Sequence, residues 1–235
     1  MAGTQHGPAA TASAVAYCQQ LQNPNQYQPA LRALLPRLQA WAADGKSPPK
    51  SRYPTVAEGT LVKPNQQSTG FPNIPGVTYN GLVDAPPNFS RGPLFFPAYE
   101  SGIMTVLPPE PIEGEGDYVV LVPAVNTDGN EIDGIQSVTL RAPLGTYTGW
   151  NLRAAGFSEG DLCFLSGSFI AFATTKAERQ ASGDPRPSLK ERYGTHAGYV
   201  AAVTAATVEL TAQGFLSPQD AQAAITAAQV SNVLE

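Results

Sequence analysis

Ala2-Gly-Thr-Gln-His-Gly-Pro8 stands directly after the initiator, and the rest of the chain is read outward from it. Small residues on both sides of His6 let backbone pass close to a ligand and let an imidazole project from a turn. A histidine that serves as a base needs a strand or helix to hold it and an acid to orient it. The single residue upstream supplies neither. The reading therefore divides: His6 is an ordinary terminal residue, or the chain is the back portion of a larger enzyme.

Downstream of that turn, the Ala- and Gln-rich residues 9–22 predict a short helix, stopped at Asn23-Pro24-Asn25. Leu31, Leu34, Leu35, Leu38 and Trp41 recur at helical spacing and predict an amphipathic helix over about 29–43. Pro29 suits its first position and Pro36 lies inside it. Asp44-Gly45 and then Ser47-Pro48-Pro49 end it. Residues 50–94 are studded with Pro, Gly and Asn, and a stretch this long without regular structure usually wraps a larger body or builds a site. The aromatics Phe71, Tyr79, Phe89, Phe95, Phe96 and Tyr99 read as anchors in such a surface.

Residues 117–140 predict a β-hairpin, with Tyr118 to Val122 outgoing, Asn126-Thr-Asp-Gly-Asn130 as the turn and Ile132 to Leu140 returning. Asn126, Asp128 and Asn130 are spaced like calcium ligands. Glu131 stands where that loop needs glycine, so a plain Asp-Gly turn is expected. Asp184-Pro-Arg-Pro187 reads as a rigid surface turn. Ser188 with Glu191 forms a capping-box pattern. An Ala-rich helix over about 197–213 follows, and Ser217-Pro218 opens a last helix with Ala221, Ala224, Ile225 and Ala228 inward.

The chain has 235 residues, 42% hydrophobic and 14% charged, with a net charge of −5. That core content excludes a disordered tail, and the charged share is well under the usual ~25%. Gly and Pro contribute 22 residues each, above their usual combined share of about 12%. With no basic run, neither nucleic acid nor an anionic membrane is expected as a partner. No apolar stretch is long enough to span a bilayer. Cys18 and Cys163 read most simply as buried free thiols. The alternative, a disulfide pinning the first helix to the C-terminal half, requires an oxidising compartment, periplasmic or secreted rather than cytoplasmic.

The census of reactive groups is short. His6 and His196 are the two histidines, and His196 reads as a structural residue near a helix end. The nucleophile elbow G-x-S-x-G is absent, and Leu165-Ser-Gly-Ser-Phe169 reads as a turn. No Walker A, G-x-G-x-x-G, H-E-x-x-H or C-x-x-C pattern occurs, so no metal or cofactor is expected. Taken alone, these residues make at most one part of a catalytic apparatus.

Several blocks together resemble one family. Ala2 to Pro8, Arg32-Ala-Leu-Leu35, Trp41-Ala-Ala-Asp-Gly45 and Tyr53-Pro-Thr-Val-Ala-Glu-Gly-Thr-Leu-Val62 occur in order. Leu121 to Asn130, Thr146-Tyr-Thr-Gly-Trp-Asn-Leu-Arg153 and Arg192-Tyr-Gly-Thr-His-Ala-Gly-Tyr199 continue the series. They resemble the C-terminal portion of the bacterial alpha/beta hydrolase domain-containing proteins. The resemblance implies an α/β hydrolase family member represented by its C-terminal part only, in which Ser and acid lie upstream and His6 is the catalytic histidine. On its own such a part is expected to be α+β. It would comprise a His turn and helices over 1–49, a wrapping loop over 50–116, and a β-hairpin with C-terminal helices over 117–235.

The implied function is carboxylic ester hydrolysis on a small-molecule ester. The serine and acid would come from the upstream part of the same enzyme or from a separate chain. Alone, the chain is expected to be inactive and to expose apolar surface. The competing expectation is a non-catalytic binding or scaffold module derived from a hydrolase tail.

Overall fold

The computed structural model describes residues 11–95, 102–112, 116, 118–163 and 165–235. Its centre is a three-stranded antiparallel sheet in the order β1 (Leu21–Gln22), β7 (Ser168–Ala171), β6 (Gly145–Tyr147). Tyr147 lies opposite Phe169 and Gly145 opposite Ala171. Gly145 is demanded by this pairing. A Cβ there would stand 2.4 Å from the Ile170 carbonyl oxygen and force the strands apart. Two small antiparallel pairs flank the centre: β2 (Leu61–Val62) with β5 (Val122–Pro123), and β3 (Phe89–Ser90) with β4 (Glu110–Pro111). Among the described residues every strand pair is antiparallel.

The helix expected over 9–22 is not found where that stretch is described. Cys18 bridges Arg153 and the next residues form β1. The Gln19 N–H donates to the Leu152 carbonyl (2.8 Å) and the Gln20 N–H to Asn151 Oδ1 (3.2 Å). Cys18 and Cys163 form a disulfide with their Cα atoms 5.8 Å apart, across 145 residues of sequence. This overturns the free-thiol reading. Helix propensity, a few tenths of a kcal/mol per residue, loses to a covalent tie and a set of cross-chain hydrogen bonds.

Helix α1 (Gln28–Asp44) forms as its pattern predicts, with Pro29 in the first turn and Pro36 inside, and a single turn, α2 (Gln66–Thr69), follows in the long loop. Gly45 closes it in the left-handed conformation (φ 68°). Its small residues Ala30 and Ala33 are buried, while Leu31, Leu35, Leu38 and Trp41 are each at least half exposed. The apolar stripe is real, but within these residues it faces outward.

The expected hairpin over 117–140 shrinks to a single antiparallel bridge, Val125 to Glu131, around the turn. Asn126 Oδ1 accepts from the N–H groups of Asp128 and Asn130, and Gly129 takes φ 77°. The outgoing arm pairs with β2 instead. The return arm bends away at Asp133-Gly134 and enters α3 (Val138–Arg141), capped by Ser137 accepting from the Leu140 N–H. A local capping bond and the pull of the helical core outweigh the strand pattern.

Beyond the sheet come α4 (Lys176–Ser182), α5 (Leu189–Tyr193), α6 (His196–Ala212) and α7 (Pro218–Gln229). Both short helices carry complete capping boxes, Thr175 with Glu178 and Ser188 with Glu191. Helices α3, α6 and α7 bury Ala142, Val203 and Ala228 in one cluster. Leu210, Phe215 and Leu216 form a second, joined by Leu34 of α1.

Candidate functional site

His6, the residue singled out by sequence, lies outside the described residues. The described residues on either side of β1 are tied to the sheet through the disulfide and through Asn23. That asparagine is fully buried, and its Nδ2 donates to the Thr148 carbonyl (2.9 Å). His196 is the first residue of α6. Its Nδ1 lies 2.9 Å from the Val233 carbonyl oxygen and its Nε2 3.2 Å from that of Gln229. Both ring nitrogens therefore face backbone acceptors of the C-terminal turn, which fits the structural role expected for it.

The sequence blocks named above converge on one polar core. Asn130, 1% exposed, donates through Nδ2 to the Gly145 carbonyl (3.0 Å) and accepts the Tyr147 N–H on Oδ1 (2.8 Å). The Thr146 hydroxyl donates to the Asp128 carbonyl, and the Asp128 carboxylate takes the Arg192 guanidinium in a bidentate pair. The three residues spaced like calcium ligands are thus committed to a turn, an ion pair and a strand. Among the described residues no group of three His, Cys, Asp or Glu could hold a metal ion.

Arg186 is the hub of this core, and the expected surface turn over 184–187 is corrected accordingly. Its side chain is 2% exposed and is paired with Asp184 through Nη2–Oδ2 at 2.6 Å. It also donates to Thr146 Oγ1 (2.9 Å), the Ile170 carbonyl (2.9 Å) and the Ala171 carbonyl (3.1 Å). Burial pushes the Asp184 carboxyl up, but the Arg186 hydrogen bonds outweigh it and hold the carboxyl below its ordinary value. The Phe172 ring lies near both cations, 5.1 Å from Arg186 and 4.0 Å from Arg192. Burial also pushes the Tyr147 phenol above its ordinary range. Sequence reasoning missed Arg186. A Pro on each side of it fixes the backbone and aims the guanidinium, but only the fold reveals that five acceptors wait there.

A cleft of about 210 Å³ opens beside this core, walled by Phe71, Tyr79, Trp150, Leu82, Val125 and Glu131. The three rings pack together, with centroids 5.2 Å (Phe71–Tyr79), 5.6 Å (Phe71–Trp150) and 5.6 Å (Tyr79–Trp150) apart. Phe71 is buried and anchors the long loop as its aromatic character predicts. The hydroxyls on the wall are spent on carbonyls: Thr148 donates to Trp150, and Thr69 to Asn65 and Gln66. Ser168, in the expected Leu165–Phe169 turn, begins β7 and donates to the Trp150 carbonyl (2.7 Å). Neither serine nor threonine here has an imidazole or carboxylate as a proton acceptor. The cleft has the chemistry to bind an apolar or aromatic group.

A family profile described as an alpha/beta hydrolase domain matches residues 1–226. The chain belongs to the alpha/beta hydrolase domain family, which points to a hydrolase-type function. No curated protein and no solved structure matches it. Among the described residues no helix is long and apolar enough to cross a membrane.

Proposed function

We propose that the protein is the C-terminal part of a bacterial serine ester hydrolase and that His6 is its catalytic histidine. The nucleophilic serine and the orienting acid are then supplied by sequence preceding these residues or by a separate chain. The observation that carries this reading is the family match over residues 1–226, which takes in Gly3-Thr-Gln-His-Gly7. In the reaction, His6 accepts the serine proton as the serine oxygen attacks the ester carbonyl. It then donates that proton to the departing alcohol, and an activated water repeats the cycle on the acyl-enzyme. The acid holds the imidazole in the tautomer that can accept at one nitrogen while donating at the other.

Two further observations support the reading. The outward stripe Leu31, Leu35, Leu38 and Trp41 on α1 suits a helix that lies against a sheet contributed by those missing parts. The Thr69, Thr148 and Ser168 hydroxyls beside the aromatic cleft are spent on backbone carbonyls, as expected if the nucleophile comes from elsewhere. The disulfide supports an oxidising compartment, periplasmic or extracellular.

The test is to express the 235 residues with and without the coding sequence that precedes them and to assay short-chain p-nitrophenyl esters. Turnover by the longer product and none by the shorter one is expected. A longer product with an intact serine elbow and no turnover would instead favour a binding or scaffold role, for which the Phe71–Tyr79–Trp150 cleft is the supporting observation.

A further inference from the structure

A second cavity, of about 410 Å³, lies between α1, α3, α6 and α7, remote in sequence from the aromatic cleft. Its floor is the cluster of Leu210, Phe215 and Leu216, and its sides are Ala30, Ile135 and Val138. The α7 side is formed by Ala223, Ala224 and Ala227. At the rim stands one ion pair: Arg32 donates through Nη2 to Asp220 Oδ1 (2.6 Å) and through Nε to Oδ2 (3.2 Å). Ser137, also on the wall, spends its hydroxyl on Asn25 (2.7 Å). The apolar lining is aliphatic except for the Phe215 ring, with Gln26 and Thr139 as further polar residues.

Size decides between kinds of occupant. The volume falls within the ~300–1,000 Å³ usual for small-molecule sites. Apart from the single Phe215 ring in the floor, the apolar lining is aliphatic, which suits a flexible hydrocarbon chain.

Charge at the rim decides the head group. Asp220 has one oxygen on Arg32 Nη2 and the other shared between Arg32 Nε and the Ser217 hydroxyl (2.7 Å). Arg32 brings five N–H donors, and Asp220 takes two of them. The rim is thus charge-balanced but rich in unspent cationic donors, and the Arg32 side chain is 57% exposed. A carboxylate can bind those donors without breaking the pair.

We propose that this cavity binds a medium-chain aliphatic carboxylate, its tail between α1 and α7 and its head on Arg32. The inference does not depend on which reaction the protein catalyses. It is tested by titrating the purified protein with decanoate and with decanol, following heat and melting temperature. Decanoate should bind one-to-one and raise the melting temperature, and decanol should bind at least about tenfold more weakly.

Ala227 is exposed at the mouth, so Ala227→Trp fills the entrance with little cost to folding. It should abolish decanoate binding while leaving the melt of the unliganded protein in place. Arg32→Gln should weaken decanoate about tenfold and leave decanol unchanged. Failure of decanoate to bind, equal affinity for the alcohol, or undiminished binding by Ala227→Trp would each overturn the proposal.

Discussion

Arg186 and Asp184 are buried together two residues apart, joined through Nη2–Oδ2 (2.6 Å) and Nε–Oδ1 (2.9 Å). The remaining guanidinium donors go to Thr146, Ile170 and Ala171, so one side chain ties the 184–187 turn to the central strand β7 and the edge strand β6. Removing one member of a buried pair leaves the other charged and unsatisfied, at a cost of about 3–5 kcal/mol. Arg186→Met should therefore lower stability by that order in chemical denaturation. Arg186→Lys should fail to restore it, because an ammonium has three donors and no planar fork. A lysine variant that unfolds at the wild-type midpoint would show that the network does not hold the sheet.

The disulfide closes a loop of 145 residues, which on chain-entropy grounds stabilises the fold by about 5 kcal/mol. The paired substitution Cys18→Ser with Cys163→Ser should lower the melting temperature by roughly 10 °C. Reducing agent should lower that of the wild type and leave the variant unmoved. Equal melts with and without reductant would mean the bond contributes nothing to stability.

Acid should weaken the fold. The Arg179 fork (2.7 and 3.0 Å), with the Ser188 N–H and hydroxyl, holds the Glu191 carboxyl down to about 2 from its ordinary 4.5. Asp184, Asp220 and Glu209 are likewise held low, by Arg186, Arg32 and Arg141. A carboxyl whose folded value is depressed contributes stability above its unfolded value, lost as pH falls through the folded one. Stability should be level from pH 7 to about 5 and fall between about 4.5 and 2. Glu191→Gln should make that fall shallower. Stability that rises between pH 5 and 3 would contradict the sign.

The α1 stripe gives a prediction of the opposite kind. Leu35 is 67% and Leu38 54% exposed, so Leu35→Glu with Leu38→Glu should shift stability by no more than about 0.5 kcal/mol per site. Binding of the dye ANS should drop, and, on the proposed reading, so should esterase activity of a product that includes the preceding sequence. A loss of several kcal/mol in the 235-residue chain alone would show that the stripe is already buried.

Legibility followed the range of the interactions. Helix α1, its Gly45 stop, the Ser188 box and the Ser217-Pro218 start could be read because each depends on residues within a turn or two. Thr175 with Glu178 carries the same signature and was overlooked. Residues 9–22 and 132–140 misled because local propensity there is overruled by distant partners: Cys163 and Asn151 for the first, the α6–α7 core for the second. Which side of α1 faces outward was illegible too, since periodicity finds a stripe but not what covers it. Arg186 looked like surface because charge usually is. The expectation for His6 rests on resemblance alone, because three small neighbours and an imidazole carry no periodic signal, and the residue lies outside the described residues.

On the proposed reading, His6 is the proton carrier of a serine ester hydrolase. This is tested by kcat for p-nitrophenyl acetate, measured on a product that includes the preceding sequence, with His6 and with His6→Ala, at matched melting temperatures. Turnover should fall on the order of 10²–10⁴-fold with folding unchanged. Turnover by the alanine variant equal to that of the parent would contradict it.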